Sequence, residues 1–102
     1  AAALGPRLQF DPAGLSFTVD GRPLPLPPTQ LRLLHHLVGH AGQVCSRESC
    51  AQAAWGRPYD PLLDRDALDK IVSKLRSHLA KADPRLAQAL QSRRGEGYVF
   101  SG

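Results

Sequence analysis

No apolar run in the 102 residues approaches the roughly 20 needed to cross a bilayer, so no membrane contact is expected. No signal peptide is expected either, because Ala1 to Leu4 is too short to be one. Cysteine is scarce: Cys45 and Cys50 stand five apart rather than in a CxxC. Two thiols without a secretory signal are expected to be reduced and cytoplasmic. There is no glycine-rich phosphate loop, since Gly95-Glu96-Gly97 fits a hairpin tip. His36 is not followed by the glutamate of a zinc-protease helix. No orienting acid or oxyanion site accompanies a Cys–His pair, so neither an enzyme nor a cofactor is expected. His35, His36, His40, Cys45 and Cys50 do form a local run, with His36 and His40 on one helical face. Both cysteines occupy apolar core positions, which favours solvated histidines and buried thiols over a metal site.

What is present is punctuation and positive charge. Nine prolines and nine glycines in one short chain imply a segmented single domain, residues 1–102, rather than a long-helix bundle. The net charge is +4, and it is unevenly spread. Residues 65–94 hold eight basic side chains against three acidic ones, a surplus of five, which leaves the rest at −1. A near-neutral half joined to a basic half points to a polyanionic partner.

Along the chain, Leu8-Gln9-Phe10 is a short strand candidate closed by the turn Asp11-Pro12-Ala13-Gly14. Leu15-Ser16-Phe17-Thr18-Val19 alternates, with Leu15, Phe17 and Val19 expected inward. Asp20-Gly21 is a hairpin turn, and Arg22 to Leu26 returns on an edge because Pro23 and Pro25 cannot donate. Thr29 is the expected N-cap of a helix whose stripe is Leu31, Leu34, Leu37, Val38 and Ala41. Ser46 caps a second helix with Cys50, Ala51, Ala54 and Trp55 inward, stopped by Gly56-Arg57-Pro58. The third helix, Arg65–Lys81, sets Leu68, Ile71, Val72, Leu75 and Leu79 on one face. Its opposite face carries Asp66, Lys70, Ser73, Lys74, Ser77 and Lys81, with Arg76 on the shoulder. Asp83-Pro84 breaks it, residues 86–92 are expected to be a strand, and Tyr98-Val99-Phe100 returns after a tight turn.

Four pieces in this order carry a resemblance: Leu26-Pro27-Pro28-Thr29-Gln30-Leu31-Arg32-Leu33-Leu34; Gly42-Gln43-Val44-Cys45-Ser46-Arg47-Glu48 with Trp55-Gly56; Leu68-Asp69 with Val72-Ser73-Lys74-Leu75-Arg76; and Arg94-Gly95-Glu96-Gly97-Tyr98-Val99-Phe100. Together they resemble the OmpR/PhoB family of bacterial winged-helix regulators over nearly the whole chain. The resemblance implies an α+β winged helix-turn-helix: an N-terminal antiparallel sheet (5–27), three helices (28–81) and a C-terminal hairpin wing (86–101). It implies double-stranded DNA as partner, the third helix in the major groove and the wing in the minor groove. By motif position, Lys74 and Arg76 fall to base edges or nearby phosphates, Lys70, Ser73 and Ser77 face the groove, and Arg94 is the wing arginine. Arg47 and Trp55 match positions set against phosphates. The chemistry agrees, since Lys and Arg donate to guanine O6 and N7 and a guanidinium suits the narrow minor groove. The family commonly attaches this domain to a phosphorylatable receiver, binds as a homodimer, and touches partners such as RNA polymerase through the loop spanning 56–66.

Some residues depart from the family pattern. Asp66 stands where an arginine is frequent; either Arg65, one place early, substitutes for it or that phosphate contact is lost. Cys50, Ala51 and Ala54 replace larger aliphatics and thin that side of the core, and Gln30 replaces a frequent glutamate. Asp66 and the acidic loop from Asp60 to Asp66 motivate an alternative reading, a winged-helix interaction module that has lost or weakened DNA reading.

Overall fold

The structure, a computed structural model, describes residues 8–101; residues 5–7 of the expected first sheet lie outside that range. Strands β1 (Leu8–Asp11), β2 (Ser16–Val19) and β3 (Arg22–Leu24) form an antiparallel sheet in the order β1-β2-β3. Asp20 and Gly21 both take positive φ, 52° and 82°, the backbone of the tight hairpin expected there. Pro23 lies on the edge strand, where its missing N–H costs no ladder bond. Leu15 differs from expectation. The Asp11 carboxylate accepts from the Ala13 N–H at 3.0 Å, and the turn extends until Leu15, at φ 48°, closes it exposed to solvent.

Helix α1 (Pro28–Gly39) begins two residues earlier than a Thr29 cap requires, with Pro27 rather than Thr29 at the cap position. Pro28 occupies the first helical position, where a fixed φ and absent N–H do no harm, and the Pro27 carbonyl accepts from Leu31 N at 2.9 Å. Two-residue strand β4 (Cys45–Ser46) leads into α2 (Arg47–Trp55). Ser46 caps α2 as expected, its Oγ accepting from Ser49 N at 3.1 Å. Gly56, at φ 71°, ends that helix. Helix α3 (Arg65–Ala82) is the longest element.

The expected strand at 86–92 is corrected by the structure. Asp83-Pro84 restarts a helix, α4 (Pro84–Ala89), because Asp83 Oδ1 accepts from Arg85 N at 2.9 Å and Pro84 pre-sets the first turn. The described residues therefore hold four helices, and the wing begins at β5 (Leu90–Arg93) rather than at residue 86. Strand β6 (Gly97–Phe100) runs antiparallel to β5 and, on its other side, to β4. The wing is thus a three-stranded sheet, β4-β6-β5, with all four residues of β6 buried.

One core joins these layers. Phe17, Val19 and Leu24 of the first sheet meet Leu33, Leu34 and Leu37 of α1; Leu68, Val72, Leu75 and Leu79 of α3; and Leu90, Tyr98 and Phe100 of the wing. Cys50, Ala51 and Ala54 have no exposed surface, so the small residues of α2 act as spacers against α1. At that junction the Arg32 guanidinium donates twice to the Ala54 carbonyl, at 3.1 and 3.0 Å, satisfying an open helix-end acceptor. Buried Gln30 accepts from His78 Nδ1 at 2.7 Å, which fastens α1 to α3.

Candidate nucleic-acid interface

Burying Leu68, Val72, Leu75 and Leu79 fixes the rotation of α3 about its axis. Lys70, Ser73, Lys74, Ser77 and Lys81 are then exposed on the opposite side. Ile71, at the margin of the apolar stripe, is half-buried. Arg65 and Asp66 are exposed in the first turn, where the unpaired N–H groups and helix dipole favour the Asp66 carboxylate. Between α3 and the wing runs an open groove lined by Arg47, Asp69, Ser73, Arg76, Ser92 and Tyr98.

Arg76 is oriented differently from Lys74. Its Nε and Nη2 donate to the Leu90 carbonyl at 3.2 and 2.9 Å, tying α3 to the first residue of the wing. Arg47 is also engaged. Its Nη1 donates to Asp69 Oδ1 at 2.9 Å and lies 3.2 Å from the Tyr98 hydroxyl, with the guanidinium 5.3 Å from the Tyr98 ring centre. The Tyr98 hydroxyl in turn donates to Asp69 in a short hydrogen bond. One carboxylate on α3 thereby links the start of α2 to the central wing strand. Burial pushes the Asp69 carboxyl up, but bonds from Tyr98 and Arg47 outweigh it, and the group titrates below the usual carboxylate range. Burial, then the hydrogen bond to the Asp69 carboxylate and its charge, push the Tyr98 phenol well up, so it remains a donor.

Trp55 is half-buried against the core, and the Arg57 guanidinium stands over its ring at 4.7 Å. Arg57 also forms a two-pronged pair with buried Asp64, at 2.7 and 3.0 Å. Asp64 accepts from Asp60 N at 2.8 Å, which closes the loop between α2 and α3. Arg93 and Arg94 are exposed at the wing tip. Gly97, at φ 145°, passes so near β4 that a Cβ there would stand 1.9 Å from the Cys45 carbonyl oxygen.

The fold thus brings Lys70, Ser73, Lys74 and Ser77 together on one exposed helical face and sets Arg94 on a separate tip. It places Arg47 and Arg76 in internal hydrogen bonds beside that face, and Trp55 and Arg65 toward the two ends of the α2–α3 loop. Sequence reasoning missed Asp69 and Tyr98 as structural partners, since their linkage spans 29 positions.

A helix pair followed by a three-stranded wing, packed on an N-terminal sheet, defines a winged helix-turn-helix domain. The chain belongs to the family described as Transcriptional regulatory protein, C terminal, whose model matches residues 21–100. It is 30% identical over 94 residues to the phosphate regulon transcriptional regulatory protein PhoB of Pseudomonas aeruginosa. That match covers 92% of this chain and 39% of PhoB, so the chain spans about two-fifths of the relative's length. The crystal structure of the DNA-binding domain of CpxR from E. coli superposes with a TM-score of 0.78 at 32% identity, covering 93% of this chain and 90% of that one. The DNA-binding domain of Klebsiella pneumoniae RstA, solved in complex with the RstA box, gives a TM-score of 0.75 at 28% identity, covering 92% and 90%.

Proposed function

We propose that this domain binds specific sequences in double-stranded DNA as the output domain of a cytoplasmic bacterial transcriptional regulator. The observation that carries the reading is the face of α3 left outside the core: Lys70, Ser73, Lys74 and Ser77 are exposed together. Cations and short hydroxyls on one face suit base edges and phosphates in a major groove. Arg94, exposed on the wing tip, supplies a guanidinium for the adjacent minor groove. A relative of the same fold, the DNA-binding domain of RstA, has been solved in complex with the RstA box, which supports DNA as the partner. The relatives are transcription regulators, so the role is binding rather than catalysis.

Within this reading Lys74 is the direct reader, while Arg76, held by Leu90, positions α3 against the wing. Lys74→Ala should relax base preference by about 1–3 kcal/mol at one position without changing thermal stability. Arg94→Ala should weaken all sequences, and Arg76→Ala should lower stability by roughly 1–2 kcal/mol. Duplex selection and gel-shift titration on these variants test the reading. Unchanged preference and affinity in both Lys74→Ala and Arg94→Ala would remove it.

A protein contact has its own support in the loop spanning 56–66. Leu62 and Leu63 are 93% and 78% exposed and set two adjacent apolar side chains at the loop tip. We assign this tip to a protein partner, with RNA polymerase as the candidate. Leu62→Ser/Leu63→Ser should leave duplex binding intact and reduce transcription from a bound promoter; equal transcription would reject the contact.

A further inference from the structure

Helix α1 ends with His36 and His40 one turn apart on the same side, ring centres 4.8 Å apart. The chain then reverses at Gly42, φ 83°, whose N–H donates to the Phe100 carbonyl at 2.9 Å. Gln43 N donates to the His40 carbonyl at 2.9 Å, and β4 returns Cys45 under the helix end, paired with Tyr98. One nitrogen or sulfur atom from each of His36, His40 and Cys45 lies within 4.8 Å of the other two. Spacing along the sequence argues against such a set; the pinned turn produces it.

The imidazole hydrogen bonds are compatible with metal ligation. His40 Nδ1 donates to the His36 carbonyl at 2.9 Å, which leaves the Nε2 lone pair free. The Ser49 hydroxyl donates to the Ser46 carbonyl at 3.0 Å, so at the 3.2 Å contact its oxygen accepts from His36 Nε2. His36 then keeps its lone pair on Nδ1. Each ring has one nitrogen fixed as a donor and the other available.

We propose that His36, His40 and Cys45 bind a divalent transition ion of zinc's type, with solvent as fourth ligand. Two imidazole nitrogens and one sulfur suit such an ion and exclude magnesium and calcium, which take oxygen ligands. Binding converts the Cys45 thiol to thiolate, and the proton leaves to solvent. A tetrahedral zinc site needs ligand atoms about 3.3–3.8 Å apart, so the present spread must close by roughly 1 Å, within reach of a side-chain rotation at exposed His40. The bound ion would clamp the end of α1 to β4, one residue before the Ser46 cap of α2.

Cobalt(II) titration of chelator-treated, reduced protein tests the proposal. We expect a thiolate-to-cobalt charge-transfer band in the near ultraviolet and intense visible bands of tetrahedral cobalt, both displaced by zinc. Saturating zinc should raise Tm by roughly 5 °C. His40→Ala, at an exposed position, should weaken cobalt binding at least tenfold. Cys45→Ser should abolish the charge-transfer band, and Cys50→Ala should retain it. Absence of the band at millimolar cobalt would overturn the site, as would a band that survives His40→Ala at full affinity or depends on Cys50 instead. No DNA enters the measurement, so its failure leaves the DNA-binding reading intact.

Discussion

Asp69 occupies the point where the helix pair and the wing meet. Its carboxylate draws Arg47 and Tyr98 together, and the Arg47 side chain is only 24% exposed as a result. Removing that charge should release a guanidinium beside the proposed DNA face. Asp69→Asn is expected to steepen the salt dependence of duplex binding by up to about one unit and to cost about 0.5–1 kcal/mol of stability. An unchanged slope in a two-salt binding series would show that Arg47 stays folded back. The pH dependence of stability has a definite sign at Asp83, whose carboxyl is held down to about 2 by the Arg85 side chain and then the Arg85 N–H. A depressed folded value means that the stabilisation is present above the ordinary carboxylate range and is lost as pH falls through the folded value. Urea midpoints of wild type and Asp83→Asn should therefore differ at pH 6 and converge between about pH 4 and 2; a constant gap would contradict that origin.

At the scale of elements, the wing depends on a close approach. Gly95 and Gly97 both have positive φ, 77° and 145°, yet they face different surroundings. A Cβ at Gly95 would meet nothing within 4 Å, whereas one at Gly97 would overlap the Cys45 carbonyl. Gly95→Ala should cost only backbone strain, about 1–2 kcal/mol. Gly97→Ala should cost more than that, because β4 must also separate from β6. Urea unfolding measures both, and equal losses would mean that the β4 pairing contributes little. The same scale shows where local patterns were legible. The Asp20-Gly21 turn, the Ser46 cap and the apolar stripe of α3 each rest on neighbours within a few residues, and all three appear in the structure. The Asp83-Pro84 pair is a stop signal for α3, and the same two residues also open α4. Strand β4, only two residues long, has no pattern of its own and exists because β6 lies beside it.

At the scale of the molecule, the uneven charge read from the sequence has a structural counterpart: cations line α3 and the wing tip, while the first sheet carries little. A domain of this size offers a small interface, so useful affinity is expected from two copies on half-sites about one helical turn apart. Gel-shift titration should show cooperative binding at a spacing of about 10 base pairs and its loss when about 5 are inserted. Binding indifferent to spacing would favour a monomer. The sequence by itself, through hydrophobic period, caps and turns, all local signals, determined the first sheet, the three long helices and the last strand, but neither α4 nor β4. It also determined which face of α3 is polar. Only the tertiary structure decided which cations on or beside that face remain exposed. Lys74 is exposed, while Arg76 and Arg47 are held by Leu90 and Asp69. Those partners lie 14 and 22 residues away, a distance over which no sequence period carries information.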